Sequence, residues 1–133
     1  MMNTIPDFHD GFFDGLLVSN DKRIHVFLRT TDQERFTMIL YGVRLLKASN
    51  VRQGNIILDL VLVNPQQLTG EHIEELYDIA GARRDEQIEQ FLASAREEEL
   101  SVLEVSSSYG AECIALFRRV EFRTNHLCSV ETQ

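Results

Sequence analysis

The stretch NIILDLVLVNPQQLTGEHIEELYDIA, residues 55–80, contains the change of pattern that decides the fold. Its first nine residues are apolar apart from Asn55 and Asp59, which is typical of a strand, and Pro65 ends that strand because proline has no backbone N–H to donate. Beyond the proline, apolar residues recur at the i, i+3, i+4 and i+7 positions of an amphipathic helix: Ile73, Leu76, Tyr77 and Ala80. This stretch therefore predicts a strand followed by a helix.

The helical spacing returns fifteen residues later, at Ile88, Phe91, Leu92 and Ala95. In one continuous helix, that shift would rotate the second apolar stripe by about 60° relative to the first. A break at Gly81 removes the mismatch, since glycine commonly follows the last residue of a helix. The sequence therefore predicts two helices, one over 70–80 and one over 86–99.

Short apolar segments separated by turn residues lie on both sides of the helices. They predict four strands before the helices, over 12–19, 23–30, 35–46 and 55–63, and two strands after them, over 100–106 and 112–123. This order predicts an α+β fold in which an antiparallel sheet of about six strands carries the two helices on one face. We expect one domain over 1–123, followed by a loose tail over 124–133.

The second face of this sheet must also be buried against other protein surface, because the second to fourth predicted strands are apolar on both sides. Large exposed apolar surfaces are rare in monomers. Curvature of the sheet into a partial barrel would cover the face within one chain, and a homodimer would cover it between two chains. We favour the homodimer from the sequence.

Composition excludes several classes of function. The chain has 133 residues, and its 21 acidic and 13 basic residues give a net charge of -8, which disfavours binding to nucleic acid. The longest apolar run, 56–63, is far shorter than the roughly 20 residues that cross a membrane, and the first residues lack the pattern of a secretion signal. Two cysteines form no disulfide framework. We expect a cytoplasmic protein that does not bind a membrane.

No sequence motif indicates a cofactor. The chain contains neither a phosphate-binding glycine loop nor a dinucleotide-binding fingerprint. A nucleophilic pair of Cys113 and His126 is one alternative for catalysis, although no local sequence supports it. We therefore expect no cofactor and no catalytic residue.

Negative charge is concentrated on the helices. Residues 69–99 contain ten acidic and three basic residues, whereas residues 1–68 are neutral overall. A solvated helical face explains this pattern, and so does a docking surface for a basic protein partner, because such a field speeds association and rejects wrong partners. The residues predicted to contact the partner are Glu71, Glu74, Glu75, Asp78, Glu86 and Glu89.

Asp59 interrupts a predicted central strand that is otherwise apolar. A buried carboxylate needs a partner, and the neighbouring strands offer His25, Arg29 and Tyr41. A structural ion pair or hydrogen bond is one interpretation. A ligand-binding site formed by Asp59, His25 and Tyr41 is the other.

The segment Phe8-His9-Asp10-Gly11-Phe12-Phe13-Asp14-Gly15 places one histidine and two carboxylates close together. His9, Asp10 and Asp14 have the chemistry of a weak metal site or of acid–base catalysis, but their convergence needs a turn or a bulge. The two Asp-Gly pairs are also common turn sequences.

The same segment carries a resemblance to a group of proteins. His9-Asp10-Gly11 with Asp14-Gly15, then Gly42 to Leu46, then Gly54 to Ile57 together resemble small bacterial proteins that are sometimes grouped with toxin-immunity proteins. The similarity covers the first half of the chain. It implies a bacterial cytoplasmic protein and assigns no catalytic residue.

Two functions remain open from the sequence. The preferred hypothesis is a non-catalytic protein-interaction module, of the immunity or adaptor kind, that uses the acidic helices. The alternative is a small-molecule-binding or metal-binding domain, or an enzyme, with a site around Asp59 and His25 or around His9, Asp10 and Asp14.

Overall fold

The computed structural model of the chain describes residues 6–49, 55–107 and 112–124. Within these ranges the chain forms two helices, α1 (Gly70–Tyr77) and α2 (Arg84–Glu97). The strands are β1 (Phe12–Val18), β2 (Ile24–Arg29), β3 (Arg35–Tyr41), β4 (Leu45–Ser49), β5 (Asn55–Val63), β6 (Ser101–Ser107), β7 (Glu112–Phe117) and β8 (Arg119–Thr124). The predicted tail after Thr124 lies outside the described residues.

The eight strands form one antiparallel sheet that is not closed, in the order β4-β7-β6-β5-β1-β2-β3-β8. The α+β class and the antiparallel pairing are confirmed. The predicted number of six strands is wrong, because two of the predicted strands are each divided in two.

Both divisions occur at one bend of the sheet. Gly42 has a positive φ of 64° there, which ends β3, and Arg118 separates β7 from β8. The Arg118 N–H donates to the Tyr41 carbonyl at 2.9 Å, and the Arg44 N–H donates to the Leu116 carbonyl at 2.8 Å. A side chain at position 42 would meet the Cβ of Arg118 at 2.9 Å, so the bend requires glycine for space as well as for its φ angle.

The main core lies between the two halves of the sheet. Buried side chains from β1, β2 and β3 pack in the same cluster as side chains from β5, β6 and β7, which requires the sheet to fold over on itself. The largest fully buried members include Phe13, Leu28, Met38, Leu103 and Phe117. This curvature covers the second apolar face within one chain, so the argument that favoured a homodimer no longer applies.

The helices cover the outer face of one half of the sheet. Ile73, Leu76 and Ile88 pack with Val102 and Leu116 in a second core cluster. Two helices on one face were predicted, and in the structure Thr69 is the residue that precedes α1. However, α1 ends earlier than expected, because Asp78 adopts a left-handed φ of 50° three residues before Gly81. None of the helices in the described part of the chain is long and apolar enough to cross a membrane.

β1 and β5 are neighbours that separate soon after they meet. Only Phe12 and Phe13 pair with β5, opposite Ile56 and Asn55, and both strands then contain a register shift. Because the two strands are antiparallel, residues 14–18 of β1 and residues 58–63 of β5 extend in opposite directions from this contact. The pairing of β1 with β5 is therefore the shortest strand pairing in the described part of the sheet.

Candidate functional site

A cavity of about 250 Å³ opens on the outer face of the sheet, beside α1. Four carboxylates line it, from Asp59, Glu75, Glu104 and Glu112, against one ammonium group, that of Lys47. We call it the acidic cavity. It brings one of the predicted partner-binding residues, Glu75, next to the predicted ligand residue Asp59.

Strand alternation explains why these side chains share one face. Glu104 stands opposite Val61 of β5 and Ile114 of β7, and Ile114 in turn stands opposite Lys47 of β4. Residues directly opposite each other in adjacent strands project to the same side of a sheet. The next row along the sheet consists of Asp59, Ser106, Glu112 and Ser49.

Glu104 has the most unusual environment among the carboxylates of the cavity. Burial raises the pKa of Glu104 above its ordinary value, and the hydrogen bond between the Glu104 and Glu75 side chains and the charges of Glu75 and Asp59 raise it further, although the charge of His72 opposes the shift. The nearby Glu75 carboxyl therefore favours the protonated form of Glu104.

Lys47 does not neutralise this cluster. Its Nζ atom donates to the backbone oxygen of Glu75 and to Oδ1 of Asp78, both at 2.8 Å, so the ammonium group is held at the C-terminal end of α1. Within the part of the chain that the structure describes, no ion pair involves the four carboxylates of the cavity. A cation that entered the cavity would therefore meet carboxylates that form no ion pair in the described part of the chain.

Half of the predicted partner-binding residues already form ion pairs within the protein. Glu74 pairs with Arg84, Asp78 with Lys47 and Glu86 with Arg83. Glu71 and Glu89 are exposed and form no ion pair in the described ranges. Exposed pairs of this kind are worth only about 0–1 kcal/mol, so a basic partner can exchange them at little cost.

Asp59 is exposed, and the expectation that it is buried is wrong. β5 contains a register shift between Ile57 and Asp59, and its contact with β1 ends before this point. The strand is central in the order of the sheet, but its second half has a neighbour on one side only. Asp59 therefore lies at the rim of the acidic cavity and not within the core.

None of the three predicted partners of Asp59 pairs with it. The guanidinium of Arg29 binds Asp14 through two hydrogen bonds of 2.6 and 2.9 Å. The Tyr41 hydroxyl donates to Glu121 at 2.6 Å, and the His25 ring stacks on Phe27. The proposed set of Asp59, His25 and Tyr41 is thus not assembled.

The cluster of His9, Asp10 and Asp14 does not converge either. Asp14 belongs to the Arg29 pair, whereas the exposed His9 lies 3.7 Å from Asp10. His9 Nδ1 is 2.7 Å from the Leu58 carbonyl, and this contact is the main reason that the pKa of His9 is raised, followed by the charge of Asp10. In the described ranges, no group of three or more histidine, cysteine or acidic residues is placed to hold a metal ion.

Cys113 is buried in the main core. Burial raises the pKa of its thiol to about 12, so the thiolate needed for nucleophilic attack is scarce at neutral pH. His126, its predicted partner, lies outside the described residues. The structure therefore offers no support for a nucleophilic pair at this position.

Sequence reasoning missed Glu104, although a signal for it was present. Glu104 interrupts the apolar strand 101–107 in the same way that Asp59 interrupts β5, and paired interruptions in adjacent strands indicate a polar patch on one face.

A scan against protein-family models and searches of curated proteins and of solved structures find no match.

Proposed function

We propose that this protein is a non-catalytic interaction module, of the immunity or adaptor kind, that binds a basic protein partner through the acidic cavity and the helical surface around it. The observation that carries the proposal is the cavity itself, where four carboxylates meet with no cation paired to any of them in the described ranges. A bacterial and cytoplasmic setting is part of the proposal.

The size of the cavity supports a single side chain as its occupant. Small-molecule sites are usually about 300–1,000 Å³ in volume, whereas the acidic cavity has about 250 Å³. Val61 and Ile114 contribute apolar surface to its lining, on which the alkyl chain of a lysine or arginine can pack. The charged end of that side chain would then lie against Glu104 and Glu75.

The charge of the helices supports the same class of partner. Residues 69–99 have ten acidic and three basic residues, and a field of one sign raises the association rate of an oppositely charged protein. Binding should weaken with salt, because exposed charges are screened beyond about 8 Å at physiological ionic strength.

The proposal is tested with a defined basic probe, an eight-residue lysine peptide, and a glutamate peptide of equal length as the negative control. Affinity is measured by isothermal titration calorimetry at low and high salt. The Glu75→Gln/Glu104→Gln variant should bind the lysine peptide about tenfold more weakly, equivalent to about 1.4 kcal/mol. The matched control, Glu71→Gln/Glu89→Gln, removes the same charge from exposed helical positions and should have a much smaller effect.

Two results would contradict the proposal. If the protein binds the lysine peptide no better than the glutamate peptide, a basic partner is excluded. If both double variants bind the lysine peptide equally weakly, the overall negative charge of the helices accounts for binding, and the cavity is not a specific binding site.

A further inference from the structure

A second cavity, of about 350 Å³, opens beside the bend of the sheet. It lies between the turn that joins β1 to β2 and the segment 43–46, which leads from the bend into β4. The Val43 N–H donates to the Lys22 carbonyl at 2.9 Å, and this bond holds the two segments together. The cavity shares no lining residue with the acidic cavity. We call it the basic cavity, for the charge of its lining.

The walls of the basic cavity are largely apolar and border the main core. Val18 and Ile24 stand opposite each other in β1 and β2, so their side chains lie on the same face. Ile24 is buried in the main core, and Val43 and Leu46 pack against that core. Val18, in contrast, is 62% exposed, the largest exposed fraction among the large hydrophobic side chains of the described ranges. A hydrocarbon chain in the cavity would cover this side chain.

The charged residues of the lining all have the same sign. They are Lys22, Arg23 and Arg44, and the lining contains no acidic residue. This grouping runs against the composition of the chain, whose net charge is -8. Lys22 is exposed and forms no ion pair within the residues that the structure describes. Its ammonium group is therefore free to bind an anion.

The carboxylates that reach the two arginines do not balance this charge. Asp21 pairs with Arg23. Glu98 is shared between Arg44 and Arg118, so that one carboxylate serves two guanidinium groups. With the unpaired lysine, four cationic groups meet two carboxylates, and the mouth of the basic cavity is positive.

We propose that the basic cavity binds a small amphiphilic anion, with its hydrocarbon chain on the apolar walls and its anionic head group at the cationic mouth. The cavity falls in the usual volume range of small-molecule sites, about 300–1,000 Å³, and such sites combine apolar walls with a few charged or polar groups. The two cavities of the protein thus select ligands of opposite charge. This site goes beyond the proposed function and does not depend on it.

The test compares octanoate with three related probes by isothermal titration calorimetry. Octanol has a similar chain without the charge and should bind at least about fivefold more weakly, since the exposed cationic groups add a modest electrostatic contribution. Octylammonium has the opposite charge and should bind more weakly still. Acetate has the head group without the chain and should show no measurable binding, because the apolar contacts supply most of the affinity.

Two variants of β1 localise the site. Val18→Asp places a carboxylate at the mouth of the basic cavity and should weaken octanoate binding about tenfold by repulsion between like charges. Leu17→Asp adds the same charge one residue earlier, on the other face of the strand, and should leave octanoate binding unchanged. Both side chains are exposed, so neither change opens a gap in the core.

A second pair of variants tests the part of the lysine. Lys22→Gln removes the unpaired ammonium group and should weaken octanoate binding about threefold, while binding of octanol stays the same. Arg35→Gln removes an equal charge from an exposed position at the far end of the pairing between β2 and β3 and should have no effect.

The outcomes separate this inference from the proposed function. Equal affinity for octanoate and octanol, an equal effect of Val18→Asp and Leu17→Asp, or no binding of octanoate overturns the inference, and none of these results bears on the lysine peptide. The Glu75→Gln/Glu104→Gln variant should bind octanoate like the wild type, because the two cavities are separate. A loss of octanoate binding in that variant would place the ligand in the acidic cavity and overturn the assignment to the basic one.

Discussion

The carboxyl pair in the acidic cavity leads to a prediction about stability and pH. Glu104 is partly buried and faces Glu75, and both its burial and its neighbour raise its pKa above the ordinary value of 4.5. In the unfolded chain Glu104 ionises freely above that value. Folding therefore becomes less favourable as the pH rises through the interval between the ordinary pKa and the raised pKa of the folded state.

Glu104→Gln removes this penalty while it keeps the shape of the side chain. The glutamine amide can donate a hydrogen bond to the Glu75 carboxylate, and hydrogen bonds to charged groups are worth about 1.5–3 kcal/mol. Because Glu75 is exposed and water screens the pair, only part of this value is realised, and we expect a gain of about 0.5–1 kcal/mol in the free energy of unfolding at pH 7. For a chain of this length, that gain raises Tm by about 2–4 °C.

Urea unfolding at pH 7 and at pH 4 tests the prediction. Glu104→Gln should be more stable than the wild type at pH 7, and the difference should shrink at pH 4, where the wild-type carboxyl is largely protonated in both states. Glu71→Gln, at an exposed position on α1, should differ little from the wild type at either pH. A loss of stability in Glu104→Gln at pH 7 would refute the reasoning, because it would show that an ionised Glu104 stabilises the fold.

Three further predictions concern the sheet. Asp14→Asn removes the carboxylate that pairs with Arg29, and the side chains of both residues are about 80% buried. The change should lower the free energy of unfolding, measured in urea, by about 2 kcal/mol, a value between those for exposed and fully buried ion pairs. A loss below about 0.5 kcal/mol would contradict a partly buried pair. Phe13→Ala removes a fully buried ring from the main core and should cost about 3–5 kcal/mol, seen as a lower midpoint in the same assay, whereas an unchanged midpoint would mean that the two halves of the sheet do not share this core. Cys113 should resist iodoacetamide at pH 8 in the folded protein and react in urea, which peptide mass spectrometry detects; fast modification of the folded protein would show that the thiol is accessible.

The sequence predicted the helices well and the sheet only in outline. The apolar stripes of α1 and α2 are local, so the spacing from Ile73 onwards was sufficient to find them. The bend at Gly42 has a local signal in the glycine, but its counterpart at Arg118 has none, because an arginine in an apolar strand looks like any exposed position. The break between β7 and β8 can be located only from the three-dimensional structure, in which Arg118 lies against the bend at Gly42.

The candidate site could be predicted only in fragments. Glu75 was identified because it belongs to the acidic helices, and Asp59 because it interrupts an apolar strand. Neither argument predicted that the two residues line one cavity. Their proximity depends on the register of β5 against β6 and on the position of α1, which are properties of long-range pairing that periodicity does not contain. Asp59 was expected to be buried because a central strand normally has neighbours on both sides throughout its length, and β5 does not.

The bend that joins β3 to β4 also bears on how the chain reaches its fold. Tyr41 and Glu121 form a hydrogen bond although they are 80 positions apart, and β3 and β4 both take their last neighbour from residues 112–124. β1, β2 and β3 can associate early, because they are consecutive hairpins with local contacts. During synthesis, however, β3 and β4 stay without that neighbour until β7 and β8 emerge from the ribosome. The nascent chain therefore passes through a stage in which these strands are open to wrong pairing, and folding should be limited by the arrival of β7 and β8.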